Sequence, residues 1–147
     1  TAAGTDFSGF LGMEIRVPYD ENDFLVYGFT EEFLRGYPWI YMKSLKELKE
    51  IADREGLYIV QAHPFRPKCF LADTGCLHGI EVYNGNPRHD SHNDRALLAA
   101  KKYGLGRTVG SDFHQPEDIA DRRAGFGRMP RTEQELAEML RKGEFEI

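Results

Sequence analysis

The sequence has few of the features that mark disulfide-rich, membrane-spanning or nucleic-acid-binding proteins. Its two cysteines, Cys69 and Cys76, belong to no Cys-x-x-Cys pair. The two cysteines can either form a disulfide or remain free thiols. The chain length favours free thiols in a reducing, cytoplasmic compartment. No apolar run approaches the length that crosses a bilayer, so we expect no membrane partner. The net charge of −5 argues against a sequence-specific nucleic-acid partner, which usually meets a basic face.

What remains is the composition of an ordinary globular domain. The 147 residues are 41% hydrophobic and 29% charged, so we expect a single domain over residues 1–147. Because the sequence begins at Thr1 rather than at Met, we also expect it to be part of a longer product. Negative net charge is compatible with a small phosphorylated substrate, because bound metal ions can supply positive charge locally.

Hydrophobic patterns predict strands and helices in βα succession, which is typical of an α/β sheet with parallel strands. Two capping-box patterns, Ser44–Glu47 and Thr132–Glu135, each predict the start of a helix. The predicted strands are 11–17 and 24–29, which we expect to form a hairpin, then 57–62, 79–83 and one that ends at Val109. The predicted helices run to Gly56, from Ala96 to Gly104, and to Gly143.

The stretch 107–115 is the most suggestive of function. Gly110 follows a predicted buried strand, and Asp112 and His114 come next, two residues apart. In extended backbone both side chains point to one side, which makes half of a site for a divalent metal at the carboxyl end of a strand. The alternative is a surface loop in which Asp112 accepts backbone hydrogen bonds.

Two further candidates lie on other strands. Glu14 interrupts an apolar strand, where a carboxylate must be paired, bind a cation or face water from an edge strand. His63 ends a strand and precedes Pro64, so we expect extended backbone that presents the imidazole at the end of the sheet. Its alternative role is that of a buried structural histidine.

Two polar segments, one after His63 and one at 89–94, contain charged residues that each allow two interpretations. Arg66 and Lys68 come after His63 and can either contact a phosphate or remain solvated. The segment 89–94 contains two histidines and two aspartates, which suits either a metal cluster or a helix start with Ser91 as N-cap.

Three ordered motifs resemble the PHP family, named for polymerase and histidinol phosphatase. Gly12-Met-Glu14 is similar to its strand-borne glutamate, Ala62-His63-Pro64 to its His-Pro element, and Gly110-Ser-Asp112-Phe-His114 to its closing Asp-x-His. The segment from Ile80 to His89 also resembles part of small PHP proteins. The resemblance covers nearly the whole chain from about residue 11.

The resemblance implies a partial, distorted (β/α)7 TIM-like barrel that hydrolyses phosphomonoesters or phosphodiesters. It implies two or three Mn, Zn or Fe ions, bound by Glu14, His63, Asp112 and His114, which would neutralise phosphate oxygens and activate water. Candidates for contacts to these ligands or to a small phosphorylated substrate are Arg66, Glu81, Asn84 and His89.

The chain departs from the family in its N-terminal part. PHP proteins open with a His-x-His strand, whereas no histidine precedes His63 here. Where some branches carry another histidine, the sequence reads Asn22-Asp23-Phe24-Leu25. We therefore expect an N-terminally incomplete PHP domain, with self-association covering the open barrel. Three hypotheses follow: a metal-dependent phosphoesterase, a non-catalytic metal- or phosphate-binding PHP module, and a plain α/β interaction domain.

Overall fold

The computed structural model describes residues 8–118 and 124–147, and within these ranges it contains seven strands and four α-helices. The strands are β1 (Gly12–Arg16), β2 (Asp23–Tyr27), β3 (Tyr58–Gln61), β4 (Gly79–Asn84), β5 (Gly106–Gly110), β6 (Gly125–Phe126) and β7 (Phe145–Glu146). The helices are α1 (Glu31–Gly36), α2 (Leu45–Glu55), α3 (Asn93–Tyr103) and α4 (Glu133–Lys142).

The five longer strands form one mixed sheet in the order β1-β2-β3-β4-β5, and β6 and β7 form a second sheet of two strands. Strands β1 and β2 are antiparallel, so the predicted hairpin is confirmed. Strand β2 is also antiparallel to β3, whereas β3, β4 and β5 are parallel. The carboxyl ends of β1, β3, β4 and β5 and the amino end of β2 therefore meet at one end of the sheet. We call it the carboxyl end.

The prediction of a partial (β/α)7 TIM-like barrel is wrong. In a barrel the first and last strands pair, and strand side chains fill the interior. Here β1 and β5 are the two edges of an open sheet, and neither gains a further strand partner from the described residues. Helix α4 covers one face of the sheet instead: its Ala137 and Leu140 pack with Tyr58 and Val60 of β3.

The opposite face of the sheet carries the larger core. Phe24, Val26 and Ile59 are fully buried there, and they belong to one cluster with apolar side chains of α2 and α3 such as Leu48 and Ala96. The sheet thus lies between helices on both faces, and its polar residues collect at the strand ends.

Local capping explains where the helices begin. Ser44 and Glu47 form the reciprocal capping box, and Gly56 ends α2 with a φ of 72°. Thr132 accepts a hydrogen bond from the Glu135 amide at the start of α4. The expectation that Ser91 caps α3 is wrong, because His92 is the N-cap and has a φ of 47°. Among residues 8–118 and 124–147, no helix has the length and apolarity to cross a membrane.

Candidate metal centre

Three potential ligand side chains meet at the carboxyl end of the sheet. His63 Nε2 lies 3.8 Å from Glu14 Oε1 and 3.8 Å from Asp23 Oδ2. One ligand atom from each residue lies within 4.8 Å of the other two. The His63 side chain is 5% exposed, Asp23 18% and Glu14 45%, so the group opens to solvent on the glutamate side. We call these three residues the Glu14 group.

The hairpin register places the two carboxylates on one face. Arg16 is opposite Asp23 across the β1–β2 pair, and Glu14 is opposite Leu25. Directly opposed residues share a face of the sheet, and so do residues two apart on one strand. Asp23 therefore lies on the same face as Glu14, next to the end of β3, where its carbonyl accepts a hydrogen bond from the Ala62 amide.

His63 does not have the extended backbone that the sequence predicts. Its φ is 27°, in the left-handed region that residues other than glycine rarely adopt. The amide of His63 donates to Glu81 Oε2 at 2.9 Å, and this buried bond supports the unusual conformation. Strained backbone of this kind is common at functional sites, where the surroundings hold it in place.

The second ring nitrogen of His63 faces a thiol. Cys69 Sγ lies 3.8 Å from His63 Nδ1, because the Arg66 amide bonds to the His63 carbonyl and the Cys69 amide to the Arg66 carbonyl in two successive turns. Burial raises the pKa of the Cys69 thiol, and the nearby Asp23 adds to that shift. A neutral sulfur that accepts from Nδ1–H leaves the Nε2 lone pair directed towards the carboxylates.

A buried hydrogen-bond network continues from His63 to the ends of β4 and β5. Glu81 Oε2 accepts from the His63 amide and, at 3.0 Å, from Asn84 Nδ2. Glu81 is 4% and Asn84 5% exposed. Burial raises the pKa of Glu81, and the hydrogen bonds from Asn84 and His63 partly oppose the rise. Gly110 leaves room for this carboxylate, since a Cβ there would lie 2.8 Å from Glu81 Oε1.

Arg66 and Asp112 form a largely buried ion pair at the far side of this network. Arg66 Nη2 donates to Asp112 Oδ2 at 2.6 Å, and the side chains are 15% and 10% exposed. Burial alone would raise the pKa of Asp112, but the hydrogen bond and charge of Arg66 outweigh it and hold the pKa below its ordinary value. Among the described residues, the side chains that could together hold a metal ion are those of the Glu14 group. Asp112 does not belong to it.

The backbone around Asp112 also differs from expectation. Strand β5 ends at Gly110, and Asp112 has a φ of 52°, so the backbone is not extended at Asp112. His114 instead folds back, with Nδ1 2.9 Å from the Asp112 carbonyl oxygen. Buried Asp118 holds the segment by accepting from the amides of His114 and Gln115 and from Arg88.

The other candidate histidines lie further towards solvent. The His114 side chain is 63% exposed, and His89 is exposed as well. His92 Nδ1 lies 3.3 Å from Asp90 Oδ2 beside the start of α3. That metals bind His114, and that His89 contacts a ligand or substrate, stay predictions.

The Glu14 group fits a divalent transition metal. Two ligands at 2.0–2.2 Å from a tetrahedral ion lie about 3.4 Å apart. The two His63 separations of 3.8 Å would have to close by a few tenths of an ångström. All three ligand atoms already lie within 4.8 Å of one another and would have to draw closer around the ion. Arg16 also binds Asp23 with two hydrogen bonds of 2.8 Å, but its side chain is 55% exposed. A metal ion bound by Asp23 would have to displace this guanidinium, which is exposed and can turn into solvent.

Comparison with known proteins gives one family match. Residues 90–145 match the family model described as PHP-associated. The resemblance to PHP proteins is confirmed for this part of the chain. Its matched range contains Asp112 and His114, whereas the residues of the Glu14 group lie before it.

A solved structure shows the same fold over most of the chain. The crystal structure of PsfC from Pseudomonas syringae PB-5123 superposes with a TM-score of 0.65 at 19% sequence identity, covering 87% of this chain and 55% of PsfC. The chain thus spans about half the length of PsfC, and the likeness concerns the fold alone. None of the curated proteins matches the sequence.

Sequence reasoning missed three residues of the candidate site. Asp23 lies just before the predicted second strand, 24–29, but is the first residue of the observed strand β2, whose register places it on the same face as Glu14. Ser91 was interpreted as a helix cap, but it is buried and bonds to Asn84. Cys69 was considered only as a disulfide or free thiol, since its approach to His63 depends on the turns of residues 63–69.

Proposed function

We propose that this chain carries the metal centre of a PHP-type, metal-dependent phosphoesterase. The observation that supports it best is that ligand atoms of Glu14, Asp23 and His63 lie within 4.8 Å of one another at the carboxyl end of the sheet. Ligands in α/β folds typically bind at that end. A mixed carboxylate and imidazole set without thiolate suits Mn, Zn or Fe.

The roles of the individual side chains follow from their contacts. Glu14, Asp23 and His63 would hold the ion, and Cys69 would orient the His63 ring through Nδ1. A divalent ion in such a site neutralises phosphate oxygens and acidifies water.

The substrate that this arrangement favours is a small phosphate ester. The centre is open on the side of Glu14, whose side chain is 45% exposed. The proposed cation would attract phosphate oxygens to that opening. Contact between Arg66 and a phosphate stays a prediction, since its Nη2 already bonds to Asp112.

A metal-binding assay followed by a turnover assay tests the proposal. Titration calorimetry with Mn²⁺ should show binding to the wild type, and Asp23→Asn should weaken it at least about tenfold. Glu138→Gln is the matched control, because Glu138 is exposed and pairs only weakly with Lys142 on α4, and it should bind Mn²⁺ like the wild type. Hydrolysis of p-nitrophenyl phosphate should then require Mn²⁺ or Zn²⁺ and fall in Asp23→Asn but not in Glu138→Gln. Absence of Mn²⁺ binding by the wild type would refute the proposal.

The Arg66–Asp112 pair favours a second candidate, a non-catalytic metal-binding PHP module. A carboxylate that is neutralised by a largely buried guanidinium is less available to a metal ion. In that case Mn²⁺ should raise the melting temperature through preferential binding to the folded state, without any phosphatase turnover.

A further inference from the structure

Three oxygen atoms converge on a single nitrogen of Arg66. Arg66 Nη2 lies 2.6 Å from Asp112 Oδ2, 2.9 Å from Asn84 Oδ1 and 3.4 Å from Ser91 Oγ. Carboxylate, amide and hydroxyl oxygens are the groups that bind hard divalent cations. The guanidinium nitrogen thus takes the place at which these oxygens could hold a metal ion. We call these three residues the oxygen cage.

The oxygen cage is built into the protein interior. Asn84 and Ser91 are 5% and 4% exposed. The backbone of Asn84 is held by Asn93 at the start of α3, which donates to the Asn84 carbonyl and accepts from its amide. The cage is therefore formed by the fold itself rather than by mobile surface side chains.

Arg16 and Arg66 each bind a candidate ligand at the carboxyl end of the sheet, and they differ in how easily a metal ion could displace them. Arg16, beside the Glu14 group, is 55% exposed and can turn into solvent. Arg66 is 15% exposed and its partner Asp112 is 10% exposed. Opening this pair without a replacement cation leaves a charge buried without its partner, which is strongly unfavourable.

A divalent ion beside Asp112 would also face the positive charge of Arg66 at close range. Repulsion between like charges is poorly screened in a site with this little solvent. Asp112 therefore already has its cation, whereas the Glu14 group has two carboxylates and one displaceable arginine.

We propose that the centre binds one divalent ion per chain, because the Arg66 guanidinium replaces a second ion in the oxygen cage. This number departs from the two or three ions that the PHP resemblance implies. The inference rests on the proposed function, which assigns the single ion to the Glu14 group.

The number of bound ions tests the inference without any assay of activity. Mn²⁺ per chain is measured by titration calorimetry and by metal analysis after gel filtration, for the wild type, Arg66→Ala and Arg66→Lys. Arg66→Ala empties the oxygen cage and leaves the Asp112 charge, so it should bind a second Mn²⁺. Arg66→Lys keeps a positive charge and should still bind one. Adding Asp112→Asn to Arg66→Ala should return the number to one.

Each outcome bears on a different part of the reasoning. Two ions in the wild type would overturn the inference and leave the proposed function standing. No ion in the wild type would overturn both. One ion in a folded Arg66→Ala protein would show that Arg66 does not exclude the second ion, and would overturn the inference. Folding is checked by circular dichroism, and Arg66→Gln, which also removes the charge, carries the same expectation if Arg66→Ala does not fold.

Discussion

Replacing Arg66 with methionine should destabilise the protein by about 3 kcal/mol at pH 7 in the presence of a metal chelator. Methionine keeps an apolar stem but removes the positive charge and the donor that lies 2.6 Å from Asp112 Oδ2. The Asp112 side chain, only 10% exposed, would then keep its charge without a counterion.

The magnitude follows from the burial of the pair. Removing one partner of a buried pair costs about 3–5 kcal/mol. The lower end applies here, because exposures of 15% and 10% leave some access for water. For a domain of about 150 residues, a loss of about 3 kcal/mol lowers the melting temperature by about 6–12 °C.

The loss should depend on pH with a definite sign. In the wild type the pKa of Asp112 is lower in the folded protein than in the unfolded chain. The ionised carboxylate therefore stabilises the fold above the pKa of the unfolded chain, and this stabilisation is lost as pH falls through the pKa of the folded protein. In Arg66→Met the pKa-lowering effect of Arg66 is gone and burial raises the pKa. Stability of the variant then falls as pH rises through the raised pKa. The difference between the two proteins should be larger at pH 7 than at pH 4.

Thermal and urea unfolding, followed by circular dichroism at both pH values, measures these differences. Arg35→Met is the matched control, because Arg35 and Glu31 form a pair at 3.4 Å whose side chains are 80% and 77% exposed. It should unfold like the wild type. Equal losses for the two variants, or a loss at pH 4 as large as that at pH 7, would refute the reasoning.

Three further predictions concern other contacts. Cys69→Ala should weaken Mn²⁺ binding about tenfold in calorimetry, because His63 loses the partner of its Nδ1. Lowering the pH from 7 to 5 should reduce the melting temperature of the wild type more than that of His78→Gln. The reason is that burial lowers the pKa of His78, so protonation favours the unfolded chain. Gly106→Ala should lower the melting temperature, and adding Tyr58→Phe should restore part of it. The new Cβ would collide with the Tyr58 hydroxyl, which has no hydrogen-bond partner among the described residues.

Much of the local structure could be predicted, because it depends on neighbouring residues. The hairpin of β1 and β2, the capping box at Ser44 and the turn glycine at Gly56 each follow from side chains a few positions apart. The motifs around Glu14 and His63 also marked the end of the sheet where the candidate centre lies.

The barrel prediction failed because closure is not a local property. It depends on the number and stagger of strands and on what covers each face. Here α4 packs its Ala137 against β3, and the apolar pattern of α4 alone does not specify which face of which sheet it will cover.

The chain by itself therefore determined the residue types, the positions of the five longer strands and of helices α2, α3 and α4, and the resemblance that the match over residues 90–145 supports. Only the tertiary structure decided the pairing: Asp23 with His63, and Arg66 with Asp112. The physical reason is that each pair joins residues about 40 or more positions apart, whose contact is set by strand register and burial rather than by any spacing along the sequence.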